Sequence, residues 1–216
     1  MKMIPAFLFL PLLLGSSLLG AAPLTPITDL KFTWADPDDP AVAEIRQTGE
    51  YAIQHIGNRM ILEVRQVLAA KGAEDGIDIL HLKDLKLPQP APGKPHVTSV
   101  RRTSLKVRHL ANAPDNADLA ALLSIQKDLM DGTSPPKVLV QHIAADGATA
   151  EEWRVYRPIS VMSSCLVCHG PSDSLLPSVK AKLERLYPED KAVNYTAYEW
   201  RGVIRVSVST APAKKP

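Results

Sequence analysis

The chain has 216 residues, of which 45% are hydrophobic and 22% charged, and its formal net charge is +2. That length suits one domain with a sizeable core, and the near-neutral balance gives no support to a basic surface for nucleic acid. Nineteen prolines predict long irregular connections between periodic segments.

Lys2 precedes an apolar run, residues 4–14, that is interrupted by Pro5 and Pro11 and followed by small residues ending in Gly20-Ala21-Ala22. This is the layout of a cleaved signal peptide over residues 1–22. An uncleaved anchor is the competing reading. The run is shorter than the ~20 residues a spanning helix needs, and its prolines oppose one. No later segment is long and apolar enough to span a bilayer, so the mature chain is expected to be exported to the periplasm and to lack a membrane span.

Residues 23–40 read as an extended lead-in. Asp39 before Pro40 is a helix-start signal, with an N-cap and a proline at the first helical position. The stripe Ala52, Ile56, Met60, Val64 and Leu68 at i+4 steps predicts a helix to about Lys71, with Gly72 as its stop. A second helix is predicted over residues 74–87. The proline-rich residues 88–95 exclude regular structure. Residues 97–107 alternate as a strand does. A turn at Asn112-Ala113-Pro114-Asp115 leads into a helix over 116–130, ended by Asp131-Gly132. Residues 137–144 and 152–161 predict an antiparallel hairpin. A short helix over 178–187, a last strand over 202–209 and a loose tail at 211–216 complete the chain. Helices followed by hairpin-connected strands indicate an α+β domain with an antiparallel sheet.

The chemistry sits in Ser164-Cys165-Leu166-Val167-Cys168-His169-Gly170. The chain has two cysteines, three positions apart, so they make no long-range disulfide framework. Cys-x-x-Cys-His is the attachment sequence of a c-type haem. Two residues between the thiols let both sulfurs reach the vinyl groups on one edge of the macrocycle, and the next residue brings its imidazole to the iron. Three other readings compete. A thioredoxin-like pair stands at a helix start in a βαβ context, whereas a hairpin precedes this one. A structural zinc site needs four ligands, and no second Cys-x-x-Cys or His-x₃-His is present. A plain local disulfide has no need of His169. The expectation is one covalent haem c, with Cys165 and Cys168 as attachment points and His169 as proximal ligand.

Arg101, Arg102 and Arg108 are candidates to pair with the haem propionates, because guanidinium matches carboxylate in a bidentate fork; the alternative is a basic outer strand face. Trp153, Tyr156 and Trp200 are candidate pocket walls or ordinary core. His96 and His109 receive no role, and His142 is expected to face solvent or a neighbouring strand.

The motif's flanks resemble a bacterial periplasmic mono-haem c-type cytochrome family with a PAS-like haem domain. Its members occur as free proteins or as sensor domains of histidine kinases. The resemblance rests on Arg102-Thr103-Ser104-Leu105-Lys106-Val107-Arg108 with Asn112-Ala113-Pro114-Asp115, on residues 156–170, and on Tyr187-Pro188-Glu189-Asp190-Lys191-Ala192 with residues 200–207. It implies a PAS-like haem domain over 41–210. The family pattern places a cysteine, which can be the distal iron ligand, where this chain has Leu80. Leucine cannot bind iron. The distal position is then left to His81, to Met60, Met162 or His55, or to a small gas on a vacant face.

The function expected is one-electron transfer, or redox or diatomic-gas sensing, through an unidentified redox or signalling partner. The alternative is a haem enzyme that reduces peroxide or nitrogen oxides at an open distal face.

Overall fold

The computed structural model describes residues 29–80, 93–147 and 150–212. Residues 1–28, where a signal peptide is expected, His81, most of the proline-rich run and the end of the tail lie outside the described residues. Five strands form one antiparallel sheet: β1 (Phe32–Ala35), β2 (His96–Thr103), β3 (Leu139–Ile143), β4 (Glu152–Ser160) and β5 (Trp200–Ser209), in the order β1-β3-β4-β5-β2. The helices are α1 (Ala43–Ile79), α2 (Asn116–Met130), α3 (Leu166–His169) and α4 (Pro177–Leu186).

The α+β expectation holds, and several boundaries follow from local chemistry. The Asp39 carboxylate accepts the N–H of Ala41 at 2.8 Å, capping the short 3-10 turn Pro40–Val42 that leads into α1. Gly72 breaks α1 with φ 78°, a conformation that favours glycine, so the two predicted helices meet end to end at the residue expected to stop the first; the second ends at Ile79, and its expected stretch over 81–87 lies outside the described residues. Asp115 caps α2 by accepting the N–H of Asp118 at 2.8 Å.

Two expectations need correction. The lead-in contains β1, whose residues 32–35 pair with β3; four residues are too few to show an alternation. The strand expected over 97–107 ends at Thr103. Beyond it the chain turns away, because Ser104 and Thr103 close against Gly202, where φ is 143° and no Cβ could fit.

Side chains alternate across the sheet, and both faces are covered. Val155, Ile204, Val206 and Val208 meet Ile45, Ala52, Ile53 and Ile56 of α1. Tyr156 and Val203 meet Ala121, Leu122 and Ile125 of α2 on the other face. Strand β5, paired on both sides, is buried without interruption from Gly202 to Val208. Beyond Ile56 the apolar stripe of α1 changes role: Met60, Val64 and Leu68 line a cavity instead of packing on strands. Met60, which the periodicity assigns to core, is therefore a wall residue. Farther along, Ile77 packs with Leu175, Val179 and Leu183, which joins the end of α1 to α4.

Candidate functional site

Strand β4 runs directly into the cysteine segment. Val161 follows it, buried against Ala192 and Tyr195, and its N–H and C=O are bonded to Glu199 and Tyr198. Cys165 ends the 3-10 turn Ser163–Cys165, and Cys168 and His169 lie in the single turn of α3. Positions i, i+3 and i+4 share a helical face. All three side chains line one cavity of about 440 Å³, a volume in the range of ligand pockets, roughly 300–1,000 Å³. Both thiols are free, and burial pushes that of Cys168 up. Gly170 closes the turn so tightly that a Cβ there would meet the carbonyl oxygen of Leu166 at 2.6 Å.

His169 is held in one tautomer. Its Nδ1 lies 2.7 Å from the carbonyl oxygen of Ala192. A carbonyl can only accept, so Nδ1 carries the proton and Nε2 keeps its lone pair. Burial, and then the positive charges of Arg108 and Arg201, push the imidazole down to about 3, against the opposing effect of the Ala192 bond. The ring is neutral at any ordinary pH. Tyr195 stands edge-on to it at 6.3 Å between centroids, and the Tyr195 N–H is bonded to the carbonyl of His169.

Four arginines line the cavity, and three of them, Arg108, Arg201 and Arg102, are in different states of engagement. Arg108 donates through Nε to Asp190 at 2.8 Å, and through Nη2 to the carbonyls of Cys168 at 2.6 Å and Ala192 at 3.2 Å. Arg201 donates to the Lys106 carbonyl at 3.0 Å. Arg102 donates to the Met60 thioether at 3.2 Å. Burial first, with Arg201 and Arg108 after it, pushes the Arg102 guanidinium down to about 10. Among the described residues, Asp190 is the one carboxylate in ion-pair contact with any of these three. Arg102 thus presents an uncompensated charge to a site able to receive an anion.

Of the other candidates, Met162, Leu80, Arg101 and His109 line the cavity. The Arg101 guanidinium is bonded to the carbonyl of Ala111, and His109 Nδ1 accepts the N–H of the same residue. His55 is exposed on α1, away from the cavity lining. His142 stacks on Trp153 at 4.5 Å and bonds to Glu151. Trp153, Tyr156 and Trp200 do not wall the cavity. Tyr156 and Trp200 face α2, and Trp153 edges the core under α1. Arg201, Asp190, Ala192 and Tyr195 carry no motif of their own. The closing segments at 187–192 and 200–207 were the one sequence signal near them. Among the described residues no three His, Cys, Asp or Glu side chains converge as a metal cluster requires. None of the described helices is long and apolar enough to cross a membrane.

The fold and site define an α+β protein with a cavity that is apolar along α1, basic opposite, and furnished with a Cys-x-x-Cys-His turn. Residues 86–209, more than half of the chain, match the family described as Tll0287-like, and the chain belongs to that family. It is also similar to the crystal structure of the cyanobacterial heme-protein Tll0287, at 18% identity and a TM-score of 0.41, over 83% of this chain and 100% of that one. No curated protein matches it.

Proposed function

We propose that the protein is an exported c-type mono-haem protein whose biochemical role is one-electron transfer. One observation carries this reading. His169 is neutral, with Nδ1 committed to Ala192, and its Nε2 is free beside two free thiols in the wall of the same cavity. A metal-ligating histidine normally gives its other nitrogen to a carbonyl or carboxylate in this way. The residues present fit the group. Cys165 and Cys168 would hold it through thioethers, His169 would bind its iron through Nε2, and Arg102 with Arg201 would neutralise its carboxylates. The apolar side chains of α1 that line the cavity, Ile61, Val64, Leu68 and Ile77, would exclude water from the group. Bound there, a haem would supply a one-electron iron couple. Export to the periplasm agrees with the N-terminal run and with c-type attachment taking place outside the bacterial cytoplasm.

Sensing of a diatomic gas is the second reading. It is favoured by Leu80, a non-ligating side chain in the cavity wall where the resembling family has a cysteine.

Expression in a host that matures cytochromes c tests the proposal. The mature chain should gain the mass of one tetrapyrrole and keep it after denaturation, and the Cys165→Ala/Cys168→Ala variant should not. A wild-type protein without the added mass would overturn it. Spectra of the ferrous protein with and without CO then separate the two readings, since a six-coordinate form that ignores CO carries electrons and one that binds CO senses.

A further inference from the structure

Beside the proximal wall lies a half-buried ion pair that the haem reading leaves without a role. Arg108 and Asp190, 82 positions apart, meet at 2.8 Å with side-chain exposures of 17% and 9%. Such a pair adds little net stability once its desolvation is counted, so its placement calls for another explanation. Both partners grip the backbone of the same residue, Ala192. The Asp190 Oδ1 accepts the N–H of Ala192 at 2.7 Å. The Arg108 Nη2 donates to the carbonyl of Ala192 at 3.2 Å, and that carbonyl is also the acceptor for His169 Nδ1. Arg108 further holds the carbonyl of Cys168, the residue before His169. Nearby, Asn194 and Tyr195 donate to the carbonyls of Gly170 and His169.

One carbonyl oxygen therefore serves two donors. A carbonyl that accepts from the imidazole raises the basicity of the opposite nitrogen, because it draws the Nδ1 proton outward. A guanidinium on the same oxygen competes for its electron density and weakens that effect. The charges act in the same sense. A cation beside the iron disfavours the ferric state, and the Asp190 carboxylate offsets it. We propose that Arg108 and Asp190 are positioning residues that set the donor strength of His169 through the Ala192 carbonyl, and with it the reduction potential of the bound haem. The inference rests on the haem reading above.

The two partners should push the potential in opposite directions. Asp190→Asn keeps the shape and leaves the arginine charge uncompensated, so the ferrous state gains. Arg108→Gln frees the Ala192 carbonyl and leaves the carboxylate charge, so the ferric state gains. At a fixed ambient potential each single variant should move the ferrous/ferric ratio about tenfold from wild type, equivalent to 59 mV for one electron, and the double variant should return towards wild type. A role confined to holding the loop would instead lower thermal stability in both singles without this opposition of sign.

The experiment is an optical redox titration with mediators, on holoprotein whose single haem has been verified by intact mass. Opposite shifts that cancel in the double variant support the inference. Shifts of the same sign, or less than twofold in ratio, overturn it. Should Arg108→Gln fail to fold, Asp190→Asn alone decides: a higher potential supports and an unchanged one refutes. Absence of haem from the wild-type protein would be a failure of the haem reading, seen in the mass before any titration.

Discussion

Gly49 of α1 lies so close to Val155 of β4 that a Cβ on the glycine would stand 2.5 Å from the Cβ and Cγ2 of the valine. The contact is at the centre of the core between α1 and the sheet, and it sets how near the helix can approach. Gly49→Ala gains helix propensity but must push the helix outward. We expect a net loss of about 1–3 kcal/mol, the usual cost of overpacking, read as a lower urea midpoint with an unchanged slope. A stabilised variant would mean that the backbone yields without cost.

Arg102 should change sign with the state of the cavity. In the chain without cofactor its guanidinium meets a thioether and like charges, so removing the charge relieves desolvation. Arg102→Met is expected to leave the cofactor-free protein as stable as wild type or about 1 kcal/mol more stable. In the haem-loaded protein the same substitution should destabilise, because an anionic partner is left without its cation. Thermal unfolding of both forms checks this, and a loss in the cofactor-free form would refute it.

The His169 imidazole gives a pH dependence with a defined sign. Its folded value is pushed down to about 3 from an ordinary 6.5, so the unfolded chain binds the proton that the folded chain refuses. Its contribution is complete above pH 6.5 and is lost as the pH falls towards 3, with a slope of up to about 1.4 kcal/mol per pH unit. Urea unfolding of the cofactor-free protein from pH 7 to pH 4 should show this slope, and His169→Gln should flatten it. Equal slopes in the two proteins would sink the assignment.

On the far side of the sheet, the Tyr156 hydroxyl sits 2.8 Å from Gln141 Oε1 and 3.1 Å from the fully buried Asp118. Arg154 and Arg205 also meet Asp118, at 3.2 Å and 3.4 Å. Tyr156→Phe leaves a buried acceptor short of a partner and should cost about 1–3 kcal/mol. Because α2 separates this network from solvent and the sheet separates it from the cavity, the haem spectrum should not move. A spectral change would show that the two faces communicate.

The features legible in the sequence are those written in consecutive residues. Asp39-Pro40, Gly72 and Asp115 mark helix ends because a cap needs a partner two or three residues away. Cys165, Cys168 and His169 share a face because three and four positions make one turn. Arg201 and Asp190 reach the cavity through contacts 95 and 82 positions apart with Lys106 and Arg108, and no local pattern encodes those. The aromatic residues show how much strand parity decides. Trp153 and Tyr156 are separated by an odd number of positions and so face opposite sides of β4, which composition alone does not reveal.

Helix α1 belongs to two regions at once. Residues 45–56 press on the sheet and residues 60–68 wall the cavity, along one uninterrupted rod before Gly72. Whatever occupies the cavity therefore braces the rod, and through it the whole fold. A chain whose cavity stays unfilled should open more often, meet proteases sooner and accumulate less. The amount of protein surviving in the cell would then report how well it had been filled.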